Sequence, residues 1–400
     1  MRTGTDVLHE TDWSRLLHAR GTATDAPKAL APLLDWDEAG WRGALDYLYE
    51  AVLGGGGVHP ATAPAALFVA GLLDHPVADT VPPWAGPWPR TLRGVLLEFL
   101  GAAARAASTD PSDEEPGTAA EVDATRAVYA AVGRRAVLDL RAVAPALYDA
   151  VRPYLTDDDR HVRQRAVEAA GEFAFLAGLE PDLSGAADMA GTRDEGAAIV
   201  LALGRNGRDT TAYLTHADPA IRACAALAPA LRGDPCATGE LVSALLRGEE
   251  IESWFSVRPG AFGGPVRSSL ARELRGRARV GDRADLLAVA RVMVEVTEPE
   301  SLAADLSPYG ALFEPVDGAR WRAEDLTALH REYLRVLVDS ERLWERADEV
   351  SRVSRRAWEE AADQPYAPAW RRLSRGELRR FLDAHGLPQD REELRALAEE

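Results

Sequence analysis

Lysine is nearly missing from this chain: Lys28 stands alone in 400 residues, and arginine carries almost all of the positive charge. A Schiff base, a P-loop or a Ser-Lys dyad each needs a lysine. The single candidate lies in a polar, proline-flanked N-terminal stretch, so these chemistries are nearly excluded. Cysteine is scarce as well. Cys224 and Cys236 have no clustered partners, which gives neither a zinc-ligand set nor a disulfide framework, and both are expected to be buried free thiols. No apolar run is long enough to span a bilayer, and residues 1–17 lack the apolar segment of a signal peptide. A cytoplasmic protein without membrane contact is the expectation. Basic charge is in the minority, with a formal net charge of −18. That balance opposes nucleic acid and anionic membranes unless a basic patch is segregated locally.

Reaction-centre motifs are also absent. The eight histidines are scattered, with no two at helical spacing and no HExxH, so no metal ligand set is expected. No G-x-S-x-G elbow occurs, and no nucleophile has an identifiable base. Carboxylate runs such as 157–159 and 113–115 read as solvated loops. Neither a catalytic residue nor a cofactor is expected.

What the chain does have is helix. Alanine and leucine dominate an apolar fraction of 46%, and 28% of residues are charged, which are globular proportions. Residues 1–35 read as an irregular or partly helical lead-in. In "DEAGWRGALDYLYEAVLG" the residues Trp41, Leu45, Leu48, Tyr49 and Val52 recur every three or four positions, which makes one apolar stripe. "GGGGVHPATAP", residues 54–64, follows. A phosphate cradle built from Gly54–Gly57 lacks the lysine, the preceding strand and the Ser/Thr of a P-loop. A turn between helices is the simpler expectation, with Gly54 as the left-handed stop, Thr62 as the next N-cap and His59 as the side chain to test. Further helices are expected at 90–107, 119–133 and 139–154, with an acidic loop at 108–118.

The next stretch repeats. "LTDDDRHVRQRAVEAAGEFA" begins at Leu155 and "LTHADPAIRACAALAPALRG" begins fifty-nine residues later at Leu214, with a weaker copy around Asp194. In the two good copies Asp159 and Asp218 are placed to cap a helix, while Arg163 and Arg222 can pair with them and build ladders between neighbouring units. The pattern L-T-x-x-D-x-x-[VI]-R-x-x-A resembles the short bacterial HEAT-like repeats first associated with phycobiliprotein lyases. The flanking "WRGALDYLYEAVLGGGGVHPATAPAALFVAGLL" and "HGLPQDREELRALA" are similar to a group of actinobacterial HEAT-repeat proteins of largely unassigned function. The resemblance implies an all-α, right-handed α-solenoid of helical hairpins over 36–250, armadillo-like in outline, and says little about activity.

An irregular aromatic insert at 251–267 breaks the pattern, and a helical region at 268–400 follows. It ends in a hairpin at 374–400, with capping-box spacing from Ser374 and Asp390, suited to close a solenoid. Two candidate sites lie here. Trp254, Phe255 and Arg258 have the composition of an interface anchor, and serve equally well as a plug where the repeats change. Arg272, Arg275 and Arg279 form a basic stripe at helical spacing, continued by Arg283 if the helix passes Gly281. Such a stripe can meet phosphate, nucleic acid or an acidic protein, although neutralisation by neighbouring carboxylates is the simpler expectation. The expected function is a non-catalytic scaffold for a protein or peptide partner. A HEAT-like DNA glycosylase and a small-molecule tailoring or lyase-like enzyme are the alternatives.

Overall fold

The computed structural model describes residues 3–35, 38–82, 90–108, 124–277, 283–297, 306, 313, 320–345 and 377–400. It is all-α: apart from one two-stranded antiparallel pair, Leu17–His18 with Gly21–Thr22, the regular elements among the described residues are helical. No helix among them is long and apolar enough to cross a membrane. The chain divides into two compact units. The first comprises 1–209 together with 257–261, and the second comprises 210–256 together with 262–400. The division falls at 209/210, inside the segment that reads as one solenoid, and it splits the aromatic insert.

In the first unit the N-terminal lead-in is a packed element. Helices α1 (Thr5–Glu10) and α2 (Ala26–Leu30) flank the short hairpin, and Val7, Leu8, Trp13, Leu30 and Leu33 are buried. Next comes α3 (Glu38–Tyr47), whose last turn, Leu48–Val52, widens to π geometry before α4 (Thr62–Leu72) begins. Ala19 N–H donates to Ala51 C=O at 2.9 Å and Ala61 N–H to Leu17 C=O at 3.0 Å, so the hairpin is sewn onto the end of α3 and the start of α4. The glycine tract is shaped by this docking. Gly54 faces Ala19 so closely that a Cβ would collide with it, and the left-handed residues are Gly55 and Gly56, not Gly54. Thr62 is not an N-cap either. It lies inside α4, where its hydroxyl accepts from His59 N–H and donates to Val52 C=O, both at 2.9 Å, and so staples the loop shut.

The N-terminus is anchored by one close approach. Gly4 N–H donates to Leu67 C=O at 3.1 Å, and a Cβ on Gly71 would run into the backbone of Gly4 and Thr3. Backbone cannot yield as a side-chain tip can, so Gly71→Ala is expected to release residues 3–10 from α4 at a cost of about 1–3 kcal/mol. Hydrogen exchange of the α1 amides measures this. Protection equal to that of the wild type would contradict it.

Helices α5 (Leu92–Ser108) and α6 (Ala124–Val151) follow. Two helices were expected where α6 runs continuously. Gly133 costs a helix only about 1 kcal/mol, and Ala136, Leu140, Ala144, Leu147 and Val151 form a single buried stripe that holds the rod together. The acidic 108–118 segment lies outside the described residues, apart from Ser108. α7 (Arg160–Ala177) is the centre of the unit. It packs against α5, α6 and α9 (Arg193–Arg205), with α8 (Ser184–Met189) on the connection.

In the second unit α10 (Pro219–Ala226) packs on α11 (Pro235–Leu245), and α11 packs on α12 (Val266–Arg277) and α13 (Arg283–Val296). Toward the C-terminus α13 meets α14 (Ala328–Asp339), which is covered by α16 (Arg391–Glu399). Asp390 caps α16 by accepting from Glu392 and Glu393 N–H at 2.9 and 3.2 Å. The preceding α15 is described from Glu377 to Ala384, and Ser374 lies outside the described residues. Of the two thiols Cys224 is buried, and burial pushes its pKa up, whereas Cys236 is exposed, contrary to expectation. It occupies the first turn of α11 beside its cap Asp234, where side chains face water.

Candidate functional site

The repeat motif has the same atomic plan in both copies. A 3-10 turn, Arg152–Thr156 or Thr211–Thr215, leads into a helix capped by Asp159 or Asp218. Asp159 accepts from His161 N–H at 2.8 Å and Val162 N–H at 3.4 Å, and Asp218 accepts from Ala220 N–H at 2.9 Å. The arginine four residues later does not pair with its own aspartate, which is already spent on the helix N–H groups. Arg163 reaches back to Asp157 C=O at 2.5 Å and across to Glu195 on α9, Nε to Oε1 at 3.0 Å. Arg222 does the same with His216 C=O and with Glu240 on α11, both at 2.8 Å. The cross-helix partner is therefore a glutamate on a later helix of the same unit. In the weaker copy Thr192, not Asp194, is the cap.

Of the residues singled out by sequence, His59 turns inward, with Nε2 3.1 Å from Gly54 C=O. Trp254 is 5% exposed and meets Phe255 edge-on at 6.5 Å, and Phe255 lies 5.8 Å from Phe262. This aromatic set fills the interior of the second unit, with Phe255 half-buried. Arg258 is exposed and belongs to the first unit, in the 257–261 segment, whereas Trp254 and Phe255 belong to the second. On α12 Arg272 and Arg275 are both exposed, and among the described residues neither has a carboxylate within ion-pair reach. Arg279 lies outside the described residues, as does the side chain of Arg283. The neutralised arginines of this helix are ones that the stripe does not include: Arg267 is buried and pairs with Glu252 at 3.2 Å. Arg277 is buried, bonded to Glu273 at 2.9 Å and donating to Leu231 C=O at 3.1 Å and Ala226 C=O at 2.5 Å.

One buried polar assembly among the described residues is concealed in the sequence. Every residue of α7 from His161 to Ala174 is buried, including Arg163, Gln164, Arg165, Glu168 and Glu172. Buried polar groups need partners, and most have them. Glu168 accepts from Arg165 at 2.7 Å, Gln164 at 3.0 Å and Gly260 N–H at 3.2 Å. Gln164 donates to Val257 C=O at 3.1 Å, and Asp194 accepts from Val257 N–H at 2.7 Å. The segment 257–261 is thus fastened to the first unit by three polar side chains of α7 and α9. At the N-terminal end of α7 the pairing is incomplete. His161 Nε2, Arg165 Nε and Arg90 Nε are buried without a hydrogen-bond partner among the described residues. Burial, with Arg165 and Arg90 nearby, lowers the His161 pKa to about 4.

Residues 161, 164, 165, 168 and 172 share one helical face, and in sequence they look like a solvated stripe. Only the i, i+4 pair His161 and Arg165 hinted at something else. Among the described residues no group of three or more His, Cys, Asp or Glu side chains is placed to hold a metal ion. Comparison with protein-family models, curated proteins and solved structures returns no match.

Proposed function

We propose that this chain is a non-catalytic binding scaffold, a right-handed solenoid of HEAT-like hairpins that holds an acidic segment of a protein or peptide partner. The reading rests on one observation. Arg272 and Arg275 stand exposed on α12 with no carboxylate among the described residues in ion-pair reach, in a protein with 64 acidic residues, while Arg277 on the same helix is fully engaged. A guanidinium left without an internal carboxylate is available for bidentate capture of an external one. The net charge of −18 acts as a filter. Long acidic polymers are repelled over the Debye length of about 8 Å at physiological salt, so a short acidic motif presented by a protein fits better than a nucleic acid. The repeated cap-and-arginine plan supports the hairpin reading, because stacked units with a common atomic plan present similar surfaces at regular intervals.

The test is comparative affinity purification from the native host, using the wild type and an Arg272→Ala, Arg275→Ala double variant of matched thermal stability. A partner captured by the wild type is expected to be depleted at least tenfold with the variant. If the two proteins capture the same set, the proposal fails.

A further inference from the structure

The incomplete pairing at the N-terminal end of α7 has a definite geometry. His161 and Arg165 lie one turn apart on α7 and face Gly94 and Glu98, one turn apart on α5. The His161 ring rests against Gly94, where an added Cβ would sit 2.8 Å from Cδ2 and 3.2 Å from Nε2. One oxygen of Glu98, Oε2, is approached by two guanidiniums, Arg165 Nη2 at 3.5 Å and Arg90 Nη1 at 3.9 Å. Both distances exceed those of a charge-assisted hydrogen bond, about 2.7–2.9 Å. Two cations therefore share this oxygen loosely, and although Arg165 Nη1 also bonds Glu168 at 2.7 Å, among the described residues both buried Nε–H groups and the nearby His161 Nε2 find no partner. His161 is 8% exposed and Arg165 4%, whereas Arg90 and Glu98 are about one-third exposed, which opens the cluster to solvent on that side.

We infer that Arg90, Arg165 and His161 form a binding site for a small oxyanion, the carboxylate or phosphate group of a ligand that enters beside Glu98. Such a group supplies the acceptors that Glu98 delivers only at long range. It takes an N–H from each guanidinium and one from His161 in its Nε2–H tautomer, and three buried orphans become partners. Glu168 does not compete for this role, because its two oxygens are committed to Arg165, Gln164 and Gly260. The charged groups acting on His161 are Arg165, Arg160 and Asp159 from its own helix region and Arg90 from the α5 side. A bound anion reverses the positive bias among them.

The experiment follows the His161 ring by NMR in the full-length, isotope-labelled chain, with the resonance assigned by its loss in His161→Gln. Inorganic phosphate and acetate are titrated separately at constant ionic strength set with chloride. Phosphate, acetate or both are expected to shift the resonance saturably and to raise the pH at which His161 titrates from about 4 toward its ordinary 6.5. A response to phosphate alone assigns a phosphate group, and a response to acetate assigns a carboxylate. Arg90→Gln, at a position about one-third exposed, is expected to weaken binding at least tenfold with the circular dichroism unchanged. Gly94→Ala is expected to abolish binding without removing a charge, by driving the ring from its place. No saturable response to either anion overturns the inference, and so does wild-type affinity in both variants.

Discussion

Arg163→Ala is expected to destabilise the first unit by about 3–5 kcal/mol, the usual cost of breaking a buried ion pair from one side. Arg163 and Glu195 are 7% and 4% exposed, so the glutamate left behind is a buried charge with no cation against it. Part of that charge is answered by Gly191 N–H at 3.2 Å and Thr192 Oγ1 at 2.8 Å, which keeps the loss from running higher. The carbonyls of Asp157 and Asp158 lose their donor in the same stroke. Arg222 is the matching control. It makes the same set of bonds, but its ion pair is about one-quarter exposed on each side, and water can replace much of what alanine removes. Arg222→Ala is expected to cost about 1–2 kcal/mol, between the exposed and buried limits. Because the chain has two units, global unfolding need not be two-state. Hydrogen exchange of the α7 and α9 amides, compared with those of α10 and α11, separates the two effects. Equal losses at the two positions would show that burial does not set the strength of this repeated contact.

Acidification is expected to weaken the first unit through His161. Burial, reinforced by Arg165 and Arg90, lowers its folded pKa to about 4 from an ordinary 6.5. Above pH 6.5 the ring is neutral in both folded and unfolded chains, and its contribution is constant. Between 6.5 and 4 the unfolded chain takes up a proton that the folded chain refuses, so stability falls as pH falls. Over the full window the loss approaches roughly 3 kcal/mol, from about 1.4 kcal/mol for each unit between the two pKa values. Carboxylates also titrate at the acid end, so the informative quantity is a difference. His161→Gln is neutral throughout, and its stability relative to the wild type is expected to rise steadily from pH 6.5 to 4. A pH-independent difference between the two proteins would mean that His161 titrates normally in the fold.

Features that depend on near neighbours were legible along the chain. A helix cap is a hydrogen bond to an N–H two or three residues away, so Asp159, Asp218 and Asp390 could be read from spacing alone. The same holds for the apolar stripe of Trp41, Leu45, Leu48 and Val52, though its fifth member Tyr49 is exposed, and for the repetition at 155 and 214 and the all-α class. Even locally some signals were weak. Gly133 did not break α6, because the buried stripe that begins at Ala136 outweighs one glycine, and Thr62 went to a staple, because the hairpin brought Val52 and His59 within its reach. Tertiary structure alone decided everything that depends on desolvation. The polar face of α7 has the composition of a solvated surface, and its burial follows from α5, α6, α9 and residues 257–261 closing around it. Arg163 finds Glu195 thirty-two residues away, and Arg277 reaches carbonyls more than forty away. Which arginine is buried and neutralised and which stays free is set by the helices packed beside it. Spacing along one chain carries no record of that packing, because an arginine costs little in water and much in the interior unless its partner arrives with it.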